Sequence, residues 1–313
     1  MPSWSSLRLP CGAEKLGAYL ESVPLDALPA ARLLDLDGPV TAERFCDDDG
    51  DYKRRYNVYK LTANGKACVL KKSDSREVTL YRDFLHGRGF AVPEYLDSVE
   101  HEGTVWLLME YINGPDLKRF DHEKALACAN TLSQIQNAYW NSPVDGGRFQ
   151  RYWERVNRRA RCLRDYPELA EAYALFLARQ KDCPRTLCSG DFLQCNGILR
   201  GGKVYMIDWA FGGIMPYALD IARLIAHGSE KPEPGAFPFY MDANLRSAFV
   251  RAHYERLEHK PDWKRYIEDI KLAALNEYVE FLEVQINDPE TTREEVEADF
   301  YYRRAVETAK HIT

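Results

Sequence analysis

The chain has 313 residues, 45% apolar and 29% charged, which is ample core-forming material for two lobes, and its formal net charge of −6 argues against nonspecific nucleic-acid binding, which needs basic surface. Its eight cysteines form no C-x-x-C pair and show no zinc-type histidine spacing, so they read as reduced and mostly buried thiols. The first residues (MPSWSSLRLPCGAEKL) contain no long apolar stretch of the kind a secretory signal carries, and no run approaches the roughly 18 apolar residues of a membrane span, so a cytoplasmic protein with no membrane association is expected.

In chain order, residues 1–35 read as an N-terminal extension. Residues 57–61 alternate as a strand, Asn64-Gly65 is a hairpin turn, and residues 67–70 are a second apolar strand ending in Lys71-Lys72. Residues 73–86 come next as a helix capped by Ser73 or Ser75, with Val78, Tyr81, Phe84 and Leu85 as its apolar stripe and Glu77 one turn in. Residues 105–109 (VWLLM) are continuously apolar, as a buried strand is, and Asn113-Gly114-Pro115 turns the chain soon after. Asp121 caps a helix whose predicted buried face holds Leu126, Ala129, Leu132, Ile135 and Tyr139. Helical patterns run through 150–163 and 167–181, then through 216–228, 243–258, 262–286 and 291–310, with a Pro-rich connection at 230–238.

Between these blocks lies the stretch richest in chemistry, S-G-D-F-L-Q-C-N-G-I-L-R-G-G-K-V-Y-M-I-D from Ser189 to Asp208. Phosphoryl transfer needs a carboxylate to receive the proton of the attacking hydroxyl, and an amide oxygen with a second carboxylate to hold magnesium against nucleotide phosphates. Asp191, Asn196 and Asp208 supply those three groups. Residues 197–200 and 203–207 read as short strands joined by Gly201-Gly202, and this hairpin folds Asp208 back beside Asn196.

With Gly190, Asp191, Asn196, Ile207-Asp208-Trp209 and Leu219-Asp220-Ile221-Ala222 in register, the chain resembles the aminoglycoside phosphotransferase and choline kinase family. Ser189 and Leu193 stand where that pattern has histidines. The resemblance implies an α+β, bilobal, protein-kinase-like fold. Residues 1–112 would form a strand-rich nucleotide-binding lobe and residues 113–313 a mainly helical lobe for catalysis and acceptor binding. It further implies that Lys71, in a C-V-L-K run, reaches the phosphates of ATP or GTP, with Lys72 as the competing candidate on the opposite strand face. Glu77 would hold that lysine, the Glu110 carbonyl and Ile112 amide would bind the base edge, and Asp220 would orient the catalytic loop. A phosphate-covering loop should lie between Phe45 and Asn57. There Asp47, Asp48 and Asp49 would repel phosphate while Lys53, Arg54 and Arg55 attract it, so a clamp and a merely solvated loop both stay open.

Only eleven residues separate Asp208 from Asp220 and no A-P-E motif comes after, which leaves little room to dock a polypeptide and favours a small hydroxylated acceptor. Between Tyr266 and Asp299 eleven acidic residues stand against two basic ones, a face that is either simply solvated or, as the resemblance implies, the wall of a pocket for a cationic acceptor such as an aminoglycoside or a choline-like amine, with Glu277, Tyr278 and Glu280 as contacts. A contrary signal is the arginine cluster Arg148, Arg151, Arg155, Arg158, Arg159, Arg161 and Arg164, which would either grip an anionic acceptor or pair with the acidic helices. The expectation is thus an Mg-dependent small-molecule O-phosphotransferase, with a noncatalytic kinase-like nucleotide-binding module and an atypical protein kinase as alternatives.

Overall fold

The computed structural model describes residues 17–34, 36, 38–48, 53–144 and 146–312. Its first part is one six-stranded antiparallel sheet built from β1 (Gly17–Val23), β2 (Val40–Asp48), β3 (Lys53–Ala63), β4 (Lys66–Ser73), β5 (Tyr95–His101) and β6 (Thr104–Glu110), in the order β1-β2-β3-β4-β6-β5. Period-2 alternation gives the sheet two unlike faces. Tyr59, Leu61, Cys68, Leu70 and Leu108 turn to one side and bury against Leu28, Ala30 and Ala31 on and beside a short helix, α1 (Pro29–Arg32). Val69, Leu107 and Met109 turn to the other side and join the main core.

The sheet bears on two expectations. The stretch read as an N-terminal extension supplies the edge strand β1 and the cover of one sheet face, because Gly17–Val23 pairs residue by residue with β2. The region expected to be a loop between Phe45 and Asn57 is mostly strand, with Asp48 opposite Lys53 and Asp47 opposite Arg54. Residues of opposite charge thus occupy paired positions in the ladder, which favours pairing over an open loop. Asp47 also accepts a hydrogen bond from the Tyr56 hydroxyl, and Arg55 forms a two-point ion pair with Glu21 at 2.9 Å. Residues 49–52, where a phosphate-covering turn would lie, fall outside the described residues.

The lysine strand leads into α2 (Ser75–Thr79), which continues as a wider π-type turn through Leu80–Leu85. The cap is Asp74 rather than either serine: its carboxylate accepts the amides of Arg76 at 2.9 Å and Glu77 at 3.0 Å. Val78, Tyr81 and Leu85 are buried as the stripe requires.

After the turn at Gly114, the chain runs along a hairpin of β8 (Gly197–Arg200) and β9 (Lys203–Met206), with Leu199 N donating to the Pro115 carbonyl at 2.9 Å. Gly201 and Gly202 take φ of 57° and 73°, the left-handed pair that a two-residue hairpin demands. The remaining elements are α3 (His122–Ala138), α4 (Gly146–Cys162), α5 (Pro167–Arg179), β7 (Arg185–Cys188), β10 (Gly213–Pro216), α6 (Ala218–Ala226), β11 (Gly228–Ser229), β12 (Phe239–Tyr240), α7 (Ala243–Arg256), α8 (Trp263–Ile286), α9 (Arg293–Ala298) and α10 (Phe300–Ala309). In α3, Ala129, Leu132 and Ile135 are buried, but Leu126 is 37% exposed, because the helix presents Ala125 and Cys128 to the core instead. The helix expected over 291–310 breaks at Asp299, whose extended backbone (φ −66°, ψ 148°) ends α9 and whose carboxylate caps α10. α8 is the axis of this half, packed by α4, α5, α6 and α10. Among the described residues no helix is long and apolar enough to cross a membrane.

Candidate active site

Three distant segments meet at one point. Lys71 leaves β4 on the face opposite Leu70, and its Nζ lies 2.7 Å from Glu77 Oε1 on α2 and 2.8 Å from Asp208 Oδ1 just beyond the hairpin. Lys72, on the other face, is exposed. Burial pulls the Lys71 pKa down, but the carboxylates of Asp208 and Glu77 outweigh it and hold the ammonium above its ordinary value. Glu77 is 1% exposed and accepts two further hydrogen bonds, from Ser73 Oγ at 2.6 Å and from the Trp209 amide at 3.2 Å. The same glutamate therefore fixes the lysine and the backbone next to Asp208. That backbone is unusual: Asp208 has φ of 59°, a left-handed conformation that aspartate tolerates better than bulkier residues do.

The loop between β7 and β8 carries Asp191 and Asn196. Gly190 bends it with φ of 73°, and a Cβ there would sit 2.6 Å from the Phe211 carbonyl oxygen, so both conformation and space require glycine. Asp220, fully buried on the first turn of α6, accepts the amides of Ser189 at 2.7 Å and Gly190 at 2.9 Å. Ser189 Oγ donates to Asp220 at 3.3 Å and accepts the Asp191 amide at 3.3 Å, so the serine braces the loop as a hydrogen-bonding residue would there. Asn196 Nδ2 donates to the Asp191 carbonyl at 2.7 Å and to Asp191 Oδ2 at 3.0 Å.

One residue of this site is not singled out by any sequence motif. Arg223 lies three positions beyond Asp220, hence on the same face of α6, and its Nε and Nη2 reach Asp191 Oδ1 at 3.0 and 2.7 Å. The signal is present in L-D-I-A-R, but only as an arginine on a predicted helix. Burial pushes the Asp191 pKa up to about 6 despite Arg223, which opposes the shift.

The arrangement suits a hard divalent cation. The Asn196 amide nitrogen is spent on Asp191, which leaves its oxygen with only a weak Cys195 Sγ contact at 3.7 Å. The Asp208 side chain is 40% exposed, and its second oxygen meets no partner among the described residues. Oxygen donors of this kind match magnesium, which takes few protein ligands and completes its shell with water and phosphate.

Glu110 ends β6, and its carboxylate accepts from Arg200 Nη2 at 2.8 Å, tying the sheet to the hairpin. Ile112 is buried, and its amide meets no acceptor among the described residues.

A cavity of about 1020 Å³ opens beside the loop that carries Asp191, lined by Gly190, Leu193, Phe211 and Arg223 and walled by α4 and α8. Glu277 and Glu280 face it, but not as free charges. Arg223 Nη1 lies 2.6 Å from Glu277 and 3.2 Å from Glu280, and Arg159 lies 2.8 Å from Glu280. Although burial alone would raise the Glu277 pKa, Arg223 and His227 hold it down at about 2. Tyr278 does not line the cavity. One position along α8 from Glu277, it turns away and packs near Tyr301, at 6.4 Å between ring centres. The expected contacts from that helix thus reduce to two carboxylates already neutralised from within.

Comparisons with known proteins agree with this geometry. No curated protein matches the chain. Among solved structures, a choline/ethanolamine kinase family protein from Mesorhizobium loti aligns with TM-score 0.58 at 12% identity, covering 92% of this chain and 100% of that one. An aminoglycoside phosphotransferase from Alicyclobacillus acidocaldarius gives 0.52 at 16% identity over 93% and 95%. An amicoumacin kinase in complex with AMP-PNP and Ca²⁺ gives 0.56 at 14% identity over 91% and 93%. At such identities the likeness establishes the fold, a kinase-like pairing of an antiparallel sheet with a helical region. The model of the phosphotransferase enzyme family matches residues 53–265, most of the chain, and the chain belongs to that family.

Proposed function

We propose that the protein transfers the γ-phosphoryl group of ATP or GTP, with Mg²⁺, to a hydroxyl of a small molecule. The observation that carries this reading is the meeting of Lys71 Nζ with both Glu77 Oε1 and Asp208 Oδ1 at 2.7 and 2.8 Å, across 137 positions in the second case. Family membership and a structural neighbour solved with AMP-PNP support it. The sheet up to residue 112 would hold the nucleotide, with the Glu110 carbonyl and the unpaired Ile112 amide at the base edge. Residues from 113 onward would hold the acceptor.

Asp191 orients the acceptor hydroxyl and takes its proton as the oxygen attacks the γ-phosphorus. The new O–P bond forms as the bond to the β–γ bridging oxygen breaks, and the nucleoside diphosphate leaves. Base help of this kind is typically worth about 10²–10⁴ in rate. Lys71, fixed by Glu77, binds the phosphates. Asn196 and Asp208 hold the magnesium, which offsets charge on the phosphate oxygens when bound. Arg223 keeps Asp191 ionised and directed. Both carboxylates and the asparagine amide are intact, which argues against a noncatalytic module.

The test is a radiolabelled phosphate-transfer screen against hydroxylated small molecules with ATP and GTP. Asp191→Ala should abolish turnover yet bind nucleotide normally, and Asp208→Ala should weaken Mg-nucleotide binding. Undiminished turnover by Asp191→Ala would overturn the assignment.

A further inference from the structure

The charged groups of the acceptor cavity are unevenly paired, although its role as an acceptor site rests on the phosphotransfer reading. Its three buried or half-buried carboxylates on α8 are all taken: Glu277 and Glu280 by Arg223 and Arg159, and Glu283 by Arg158 and by Arg159 Nε at 3.5 Å. The remaining acids on the cavity wall serve local backbone or face water. Asp288 accepts the Glu290 amide at 3.0 Å, Glu295 closes the cap of α9 on the Thr292 amide at 2.8 Å, and exposed Glu154 accepts from Gln150 at 3.0 Å.

The cations differ. Arg151 and Arg155, one turn apart on α4, both line the cavity, and neither forms an ion pair among the described residues. Arg155 is mostly withdrawn from water, and its Nε is buried without a hydrogen-bond acceptor. Burial draws its pKa below the ordinary arginine value. Its guanidinium lies over the Phe211 ring at 5.6 Å, and the Phe211 carbonyl abuts Gly190, the neighbour of Asp191. Glu280 acts on it only from beyond ion-pair distance, and a half-desolvated guanidinium whose nitrogen meets no acceptor is costly unless something anionic completes it. An ammonium ligand entering beside Arg155 would meet a guanidinium of its own sign, while the carboxylates of α8 there, Glu277, Glu280 and Glu283, are already paired.

We infer that the acceptor carries, besides the hydroxyl to be phosphorylated, an anionic group of the carboxylate or phosphate kind, received by Arg155 and Arg151 at the Phe211 end of the cavity. The arginine fork suits either anion, and the aromatic rings of Phe211, Phe237 and Phe281 give the body of the ligand an apolar wall. This reverses the charge that the acidic composition of the C-terminal helices suggested.

Calorimetric titration of the full chain saturated with Mg²⁺ and AMP-PNP separates the two. The probes share one hydroxyphenyl body and differ in charge: 4-hydroxyphenylacetate, 4-hydroxybenzyl phosphonate and tyramine. The anionic probes should bind about tenfold more tightly than tyramine, and Arg155→Gln should remove about that factor. Arg151→Gln, at an exposed position where folding is not at stake, should remove a smaller part. Tyramine binding as tightly as the anions, no detectable binding of any probe at millimolar concentration, or an anion preference unchanged in both variants would overturn the inference. The rise in melting temperature on adding Mg-AMP-PNP reports the phosphotransfer reading separately. Its absence sinks that reading whatever the probes do, and its presence without an anion preference sinks only the acceptor class.

Discussion

Asp191, the base in the proposed mechanism, is costly to the molecule that holds it. It is buried, and its pKa of about 6 means that the folded state binds its proton more tightly than the unfolded chain does. Linkage fixes the sign. A group whose folded pKa is raised contributes stability that is fully present below the unfolded value and is lost as pH rises through the folded one. Above pH 6 the ionised carboxylate, which the mechanism requires, therefore stands at a disadvantage of about 3 kcal/mol relative to a neutral side chain. Asp191→Asn removes that charge at nearly constant shape, its amide oxygen can still meet Arg223, and Arg223 keeps Glu277 and Glu280 as counter-charges. Urea denaturation should show the variant more stable than the parent at pH 8 by up to about that amount, with the gap closing toward pH 4. A gap that does not vary with pH would mean that burial does not strain this carboxylate.

Among the elements, the loop between β7 and β8 is held from outside itself. Asp220 on α6 accepts two of its amides, and no backbone partner in the loop replaces them. Asp220→Ala leaves both N–H groups buried and unpaired, at about 1–3 kcal/mol each. Thermal melting should record a loss of that order, and turnover should fall more than nucleotide affinity, since the two amides adjoin Asp191 whereas Asn196 lies at the other end of the loop. Asp220→Asn should recover part of both. The local parts of this region were legible in the sequence: Gly201-Gly202 dictates a hairpin from two residues, and residues 105–109 announce a buried strand by hydrophobicity alone. β1 and β2 were not legible, because their charged residues are met by β3, Glu21 by Arg55 and Glu43 by Lys60, and no single segment reveals that pairing. The break at Asp299 was hidden for a related reason: an aspartate can continue an acidic helix or cap the next one, and tertiary packing of α10 on α8 decides.

At the scale of the molecule, the candidate site is a set of ion pairs between segments far apart in the chain. Motifs named their members on the loop and the hairpin. They did not show that Arg159 and Arg223 cancel Glu277 and Glu280, since those pairs join α4 and α6 to α8 and depend on how the helices pack. Lys71 is the sharpest case, because it ties β4 to α2 and to the residue after the hairpin at once. Lys71→Met should therefore do more than remove a phosphate contact. It leaves Glu77 buried with no cation and with Asp208 nearby, and breaking a buried pair from one side typically costs about 3–5 kcal/mol. Adding Glu77→Gln removes the stranded charge, while its amide oxygen can still accept the Trp209 N–H and its NH2 can donate to Ser73 Oγ. The double variant should be more stable toward urea than Lys71→Met alone, although neither binds Mg-nucleotide normally. Additive losses in the double-mutant cycle would show that the lysine and glutamate act independently, and the electrostatic tie between β4 and α2 would then have to be abandoned.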